Sequence, residues 1–227
     1  MMNAKETEVK IKELERKVAT LEDLQAIMRL QRAYGFYLEH WMYQEVIDCF
    51  SDSSDTVLDL VAGIYYGKEG VKRYFSGEKA RSVDPELLHT IMQLSGVVDV
   101  AKDGKTAAGR WFGFGAAALP EGPGVIQSLT AGVYTVEYIK EDGKWRIHKL
   151  MWNPSIMADP TKGWVKPDRL AAAVMGLHKN PRGDAQRVIK TLYPSGYIPP
   201  FHYPHPVTGK KTTERAHNKL LKIKGID

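Results

Sequence analysis

One cysteine, Cys49, in 227 residues rules out an intrachain disulfide and any cysteine-rich zinc site. It lies in the apolar run VIDCF, where a buried, inert thiol is expected. No apolar run approaches the roughly 18 residues of a membrane span. The opening stretch MMNAKETEVKIKELERK lacks the apolar core of a signal peptide, so a cytoplasmic location is expected. No Gly-rich phosphate loop, no Gly-x-Ser-x-Gly elbow and no dinucleotide fingerprint can be found, which leaves cofactor-bound redox chemistry unsupported. Nor is there a marked excess of one charge. The formal +5 comes largely from the tail, as in TGKKTTERAHNKLLKIKG, and no basic stripe or nucleic-acid module accompanies it. Neither nucleic acid nor membrane is an expected partner.

Proline is scarce before residue 150 and common after it: nine of the twelve lie beyond that point. The segment SGYIPPFHYPHPVTG cannot form regular helix or ladder, and its aromatics argue against simple disorder. Residues 153–227 therefore read as an extension, either a lid or a wrapping arm, with one helix near PDRLAAAVMGLHK. Residues 5–48 read as helix. Ile11, Leu14, Val18, Leu21, Leu24 and Ile27 recur at spacings of three and four and mark one apolar stripe. Either this is one long helix, or residues 1–19 form an arm and a new helix is capped near Thr20, with Glu22 and Asp23 in its first turn. Such an arm packs on a partner subunit or on its own domain.

SDSSD at 51–55 reads as a loop, TVLDLVAGIYYG as a short hairpin and KEGVKRYFSGE as a short helix. Strand patterns follow at 87–101, 105–117, 125–140 and 144–152, joined through KDGK and EDGK, whose Asp-Gly pairs accept the positive φ of tight hairpins. Helices first and a meander after them indicate an α+β fold with an antiparallel sheet.

The order of these pieces carries a resemblance. RLQRAYGFYLEHWMYQEVIDCFSDSSDTVLDLVAGIYYGKEGVKRYF is followed by a strand opening LLHT, then DGKTAAGRW, then GVYTVEYIKEDGKWRIHKL. Over about residues 20–152 this resembles the SnoaL-like branch of the nuclear transport factor 2-like superfamily. The resemblance implies a cone-shaped curved antiparallel sheet wrapped around N-terminal helices, with a deep apolar pocket. It also implies acid–base enzymes that need no organic cofactor, such as dehydratases, isomerases, polyketide cyclases and a diarylpropane lyase, alongside members that only bind ligands. Dimers or trimers are common in such a family, so a homodimer or homotrimer is expected.

By the same resemblance Tyr34 matches a pocket tyrosine, and Glu39 stands where an aspartate is usual. His89 matches the strand histidine that serves as acid or base, a role suited to an imidazole near neutral pH. Alternation puts His89, Ile91 and Gln93 on one face and Thr90 and Met92 on the other. Arg110, with Phe112 and Phe114 on its face, is expected to floor the pocket and steady an oxyanion, unless it pairs with an acidic side chain or faces outward. Lys149, or His148 on the opposite face, is a further candidate base or cation. Tyr37, Trp41, Ser128 and Tyr134 are expected to line the pocket, and Phe201, His202 and Tyr203 to cover it. His202 and His205 have metal-like spacing without the helix that would align them, so no metal is expected. The expected function is a cofactor-independent lyase for an aromatic small molecule, by dehydration or retro-aldol cleavage. A non-catalytic binding module, or an isomerase, cyclase or epoxide hydrolase, is the alternative.

Overall fold

The computed structural model describes residues 3–40, 42–76, 88–121, 124–161, 183–185, 199–211 and 213. It opens with one unbroken helix, α1 (Ala4–Glu39), started by a capping box in which Asn3 and Glu6 exchange side chain–backbone hydrogen bonds. The restart near Thr20 does not occur. Thr20 donates instead to the carbonyl of Arg16 within the helix. Helix α2 (Tyr43–Asp48), strands β1 (Val57–Leu60) and β2 (Gly63–Tyr66) and helix α3 (Gly67–Phe75) follow. Four long strands complete the domain: β3 (Leu88–Val100), β4 (Thr106–Glu121), β5 (Gly124–Glu141) and β6 (Lys144–Ala158).

The long strands form the antiparallel meander, and β1 joins β6 in parallel to give the sheet order β2-β1-β6-β5-β4-β3. Both Asp-Gly turns are present, with Gly104 at φ 65° and Asp142 and Gly143 at 48° and 74°. Strand β6 runs past Trp152 through Pro154. The β1–β6 pairing ends at Met151, so among the described residues Pro154 lies where β6 has a strand partner on one side only.

Three irregularities bend the sheet. Strand β3 shifts register between Leu94 and Val97, with Ser95 at φ 50°, and β5 and β6 slip at Ala131/Gly132 and at Glu137/Tyr138. The concave face carries Trp111, Tyr134, Tyr138, Val136, Ile147 and Leu150, all almost fully buried against α1, α2 and Phe50. On β4 this face alternates Trp111 with Gly109 and Gly113, and a Cβ at either glycine would strike a neighbouring ring: Tyr138 at Gly109, Trp152 and Tyr134 at Gly113. Glycine is required there because the aromatic rings already fill the space a side chain would take. On the convex face, by contrast, Met92, Leu94, Phe112 and Phe114 are exposed.

At Asp23, α1 is pinned to the end of the β5–β6 hairpin. Trp145 donates Nε1 to Asp23 Oδ1 at 2.8 Å, and Lys140 Nζ lies 2.5 Å from the same oxygen. Residues before Asp23 are almost all exposed. No helix among the described residues is long and apolar enough to cross a membrane.

Among the described residues, the extension touches the domain at two places. Residues 183–185 meet β2: Asp184 accepts from the backbone N–H of Tyr66 at 2.7 Å and pairs with Arg73 at 2.6 Å. Residues 199–202 lie on the convex face. The helix expected near PDRLAAAVMGLHK lies outside the described residues.

Candidate functional site

Past Asp23 the buried stripe of α1 runs Ile27, Gln31, Tyr34, Leu38. Tyr34 points into the cone, its ring edge-on to Phe50 with centroids 6.0 Å apart. Burial holds its hydroxyl protonated well above the ordinary tyrosine range, with Tyr134, Tyr74 and Cys49 adding to the effect. Glu39 lies five residues on, about 140° around the helix axis. It therefore faces β3 rather than the interior, where Thr90 Oγ1 donates to its Oε1 at 3.2 Å. Gly35, between them, admits strand β3. A Cβ there would sit 2.8 Å from Gln93 Cγ, so only glycine lets Gln93 cross the helix this closely.

His89 is the second residue of β3, with Nδ1 shut from solvent. Burial lowers its pKa below the usual histidine value, while a backbone hydrogen bond and the nearby Glu39 carboxylate act the other way. Burial thus favours the neutral ring, and the Glu39 carboxylate favours the protonated one. Across the sheet, His89 registers with Ala117 on β4, and Ala117 with Ser128 on β5. Ser128 and Tyr134 are both buried on the concave face, as alternation requires. Burial raises the pKa of Tyr134, with a hydrogen bond to Gln93 opposing it. Tyr37 is half-buried and packs on the core.

A chain of polar side chains runs beneath this group. Trp111 Nε1 donates to Tyr138 Oη at 2.9 Å, Tyr138 donates to Gln31 Oε1 at 2.8 Å, and Gln31 Nε2 donates to Gln93 Oε1 at 2.9 Å. Gln31 and Tyr138 escaped the sequence reading. The available signal was a glutamine on the helical stripe otherwise made of Ile27, Tyr34 and Leu38.

Several expected site residues lie elsewhere. Arg110, Phe112 and Phe114 do share a face, but it is the convex one: Phe112 is 59% and Phe114 45% exposed, because Trp111 and the glycines beside it take the interior. Arg110 instead donates to the carbonyls of Pro199 and Pro200, both at 3.1 Å, and stacks over Phe201 at 4.2 Å. Phe201 and His202 accordingly lie outside the sheet rather than over a pocket. His202 pairs with Asp99 at 3.3 Å, and Tyr203 packs edge-on against Phe201. Lys149 is on the surface, bound to Glu137 at 2.9 Å. The bulge leaves His148 outside the ladder register, and it reaches Asp55 at 3.2 Å. Trp41 is outside the described residues. Cys49 is buried, its thiol pushed up to about 12 mainly by desolvation. His205 closes a turn by accepting from the N–H groups of Val207 and Thr208.

A family model described as SnoaL-like domain matches residues 19–151. Among solved structures, LinA is 18% identical with a TM-score of 0.52, covering 67% of this chain and 99% of its own. A provisionally assigned scytalone dehydratase from Novosphingobium aromaticivorans is 17% identical with a TM-score of 0.52, covering 63% and 91%. A protein of unknown function from Mycobacterium tuberculosis, solved as a single-substitution variant, is 20% identical with a TM-score of 0.50, covering 69% and 92%. No curated protein matches in sequence. These likenesses establish the α+β cone fold.

Proposed function

The chain belongs to the SnoaL-like domain family, and from that membership we propose that it is a cofactor-independent acid–base lyase acting on an apolar aromatic molecule. What supports this reading is the buried His89 of β3, whose protonated form the Glu39 carboxylate favours, while Thr90 donates to that carboxylate. His89, in its neutral form, acts as the base that removes a proton from substrate. Glu39 stabilises the imidazolium, which then returns the proton to the leaving group or to the product carbanion. Tyr34, kept protonated by its burial, donates a hydrogen bond to the negative charge that develops. Ser128, in register with His89 through the small Ala117, is a second donor on the same face. Arg110 and Lys149 take no part.

This acid–base set serves either loss of water or retro-aldol release of a small aldehyde. One structural neighbour bears the name of a dehydratase, and that name denotes an elimination of the same class. The test is turnover of a panel of β-hydroxy diaryl compounds, followed by alkene absorbance and by released formaldehyde. General acid–base groups contribute about 10²–10⁴-fold. The His89→Ala chain should therefore lose at least about a hundredfold in kcat with its fold intact by circular dichroism, and Glu39→Gln and Tyr34→Phe should lose less. Wild-type rates in the His89→Ala and Tyr34→Phe chains would overturn the assignment.

A further inference from the structure

The arm of α1 before Asp23 presents an apolar seam to which nothing among the described residues is fitted. Ile11, Leu14, Val18 and Leu21 are each about half exposed or more, and Ile11, Leu14, Val18 and Ala19 line a shallow groove with Glu15 and Glu22 at its rim. The seam cannot fold back onto its own sheet. Its spacing of three, four and three would continue to residues 25 and 28, whereas the stripe facing the sheet runs through Leu24, Ile27, Gln31, Tyr34 and Leu38. That is a displacement of one residue, about 100° around the helix. An omitted residue of this kind breaks a heptad seam in two. The arm therefore carries its apolar face away from the direction in which the rest of α1 packs.

We propose that this arm pairs in parallel with the arm of a second copy of the chain, forming a short two-stranded coiled coil. Three observations choose that occupant. In heptad positions Ile11 and Val18 fall at a, and Leu14 and Leu21 at d; β-branched residues at a with leucine at d is the combination that favours parallel dimers. Lys10 and Lys17 fall at g, Glu15 and Glu22 at e. In a parallel pair Lys10 meets Glu15 of the second copy and Lys17 meets Glu22, and symmetry doubles both contacts. An antiparallel pair would set lysine against lysine and glutamate against glutamate. Finally, the within-chain ion pairs leave these acids available. Lys10 and Lys17 both turn to Glu13, at 3.1 and 2.6 Å, in exposed pairs of the kind that contribute little, while Glu15 and Glu22 are in no ion pair among the described residues. An exposed helical arm gains little stability from helix propensity alone, and burial of the seam supplies the packing it lacks.

Sedimentation equilibrium of the full chain tests the charges. The Lys10→Glu/Lys17→Glu chain and the Glu15→Lys/Glu22→Lys chain should each self-associate at least about tenfold more weakly than wild type. Mixed in equal amounts they should recover wild-type affinity, as should the chain carrying all four substitutions. Oxidative cross-linking tests orientation. Ala4→Cys, at an a position, should give an interchain disulfide, and Val9→Cys, on the outer face, should not. The proposal is overturned if the charge variants associate like wild type, as they would with the tail of the same chain or another surface in control. It is overturned equally if the two cysteine chains cross-link alike or not at all.

Discussion

Gln31 shows what one polar side chain does in an apolar stripe. Its amide accepts from Tyr138 and donates to Gln93, so it links β5 and β3 through the helix between them. A Gln31→Leu substitution fits the volume but strands both partners, and each buried group left unsatisfied costs about 1–3 kcal/mol. The expected loss is about 2 kcal/mol or more, read from the midpoint of urea denaturation with the slope unchanged. If the loss is below about 0.5 kcal/mol, the network is incidental to the fold. Single residues were also where the sequence was most and least informative. Tyr34, Ser128 and Tyr134 turn inward as their patterns indicate. Gln31 passed unnoticed because hydrophobic periodicity is blind to a glutamine whose partners come from strands more than sixty residues away.

At the scale of the element, β4 sets the geometry. Gly113 lies under Trp152 and Tyr134, whose rings stack with centroids 4.3 Å apart. A Gly113→Val chain must push both rings aside and should lose about 1–3 kcal/mol, the usual cost of overpacking. Near-UV circular dichroism should report the displaced tryptophan, whereas an unchanged spectrum and midpoint would mean that the rings move freely. The same strand explains the misplacement of Arg110, Phe112 and Phe114. Alternation tells which residues share a face, not which face is inside, and a phenylalanine face looks like core beside one rich in glycine. Here the glycine face is the interior, since rings from β5 and β6 occupy it. For Lys149 the obstacle was the bulge at His148, an inserted residue that changes the phase of β6 and leaves no mark on apolar periodicity. The helices, hairpin turns and meander were legible because each rests on local signals: a stripe, an Asp-Gly pair, an alternating run.

For the molecule as a whole, pH should act through two histidines at opposite faces of the sheet. His89 and His202 both have pKa values lowered chiefly by burial, each partly offset by a carboxylate, Glu39 and Asp99 respectively. In the unfolded chain a histidine titrates near about 6.5. As pH falls through that value the unfolded state takes up protons first, so stability is full above about 6.5 and declines below it until the folded groups titrate. Denaturation midpoints should therefore drop between about pH 7.5 and 5.5, and the chain with His89→Asn and His202→Asn should show a flatter profile. A wild-type midpoint that stays level over this interval would show that burial does not bias either ring.

The sealed position of Cys49 has a practical corollary. Because its sulfur is hidden and reluctant to ionise, the native molecule should behave toward alkylating agents as though it carried no sulfhydryl. A spin label or fluorophore coupled to an added surface cysteine would then report from that place alone, and the parent sequence could be used without first removing its own.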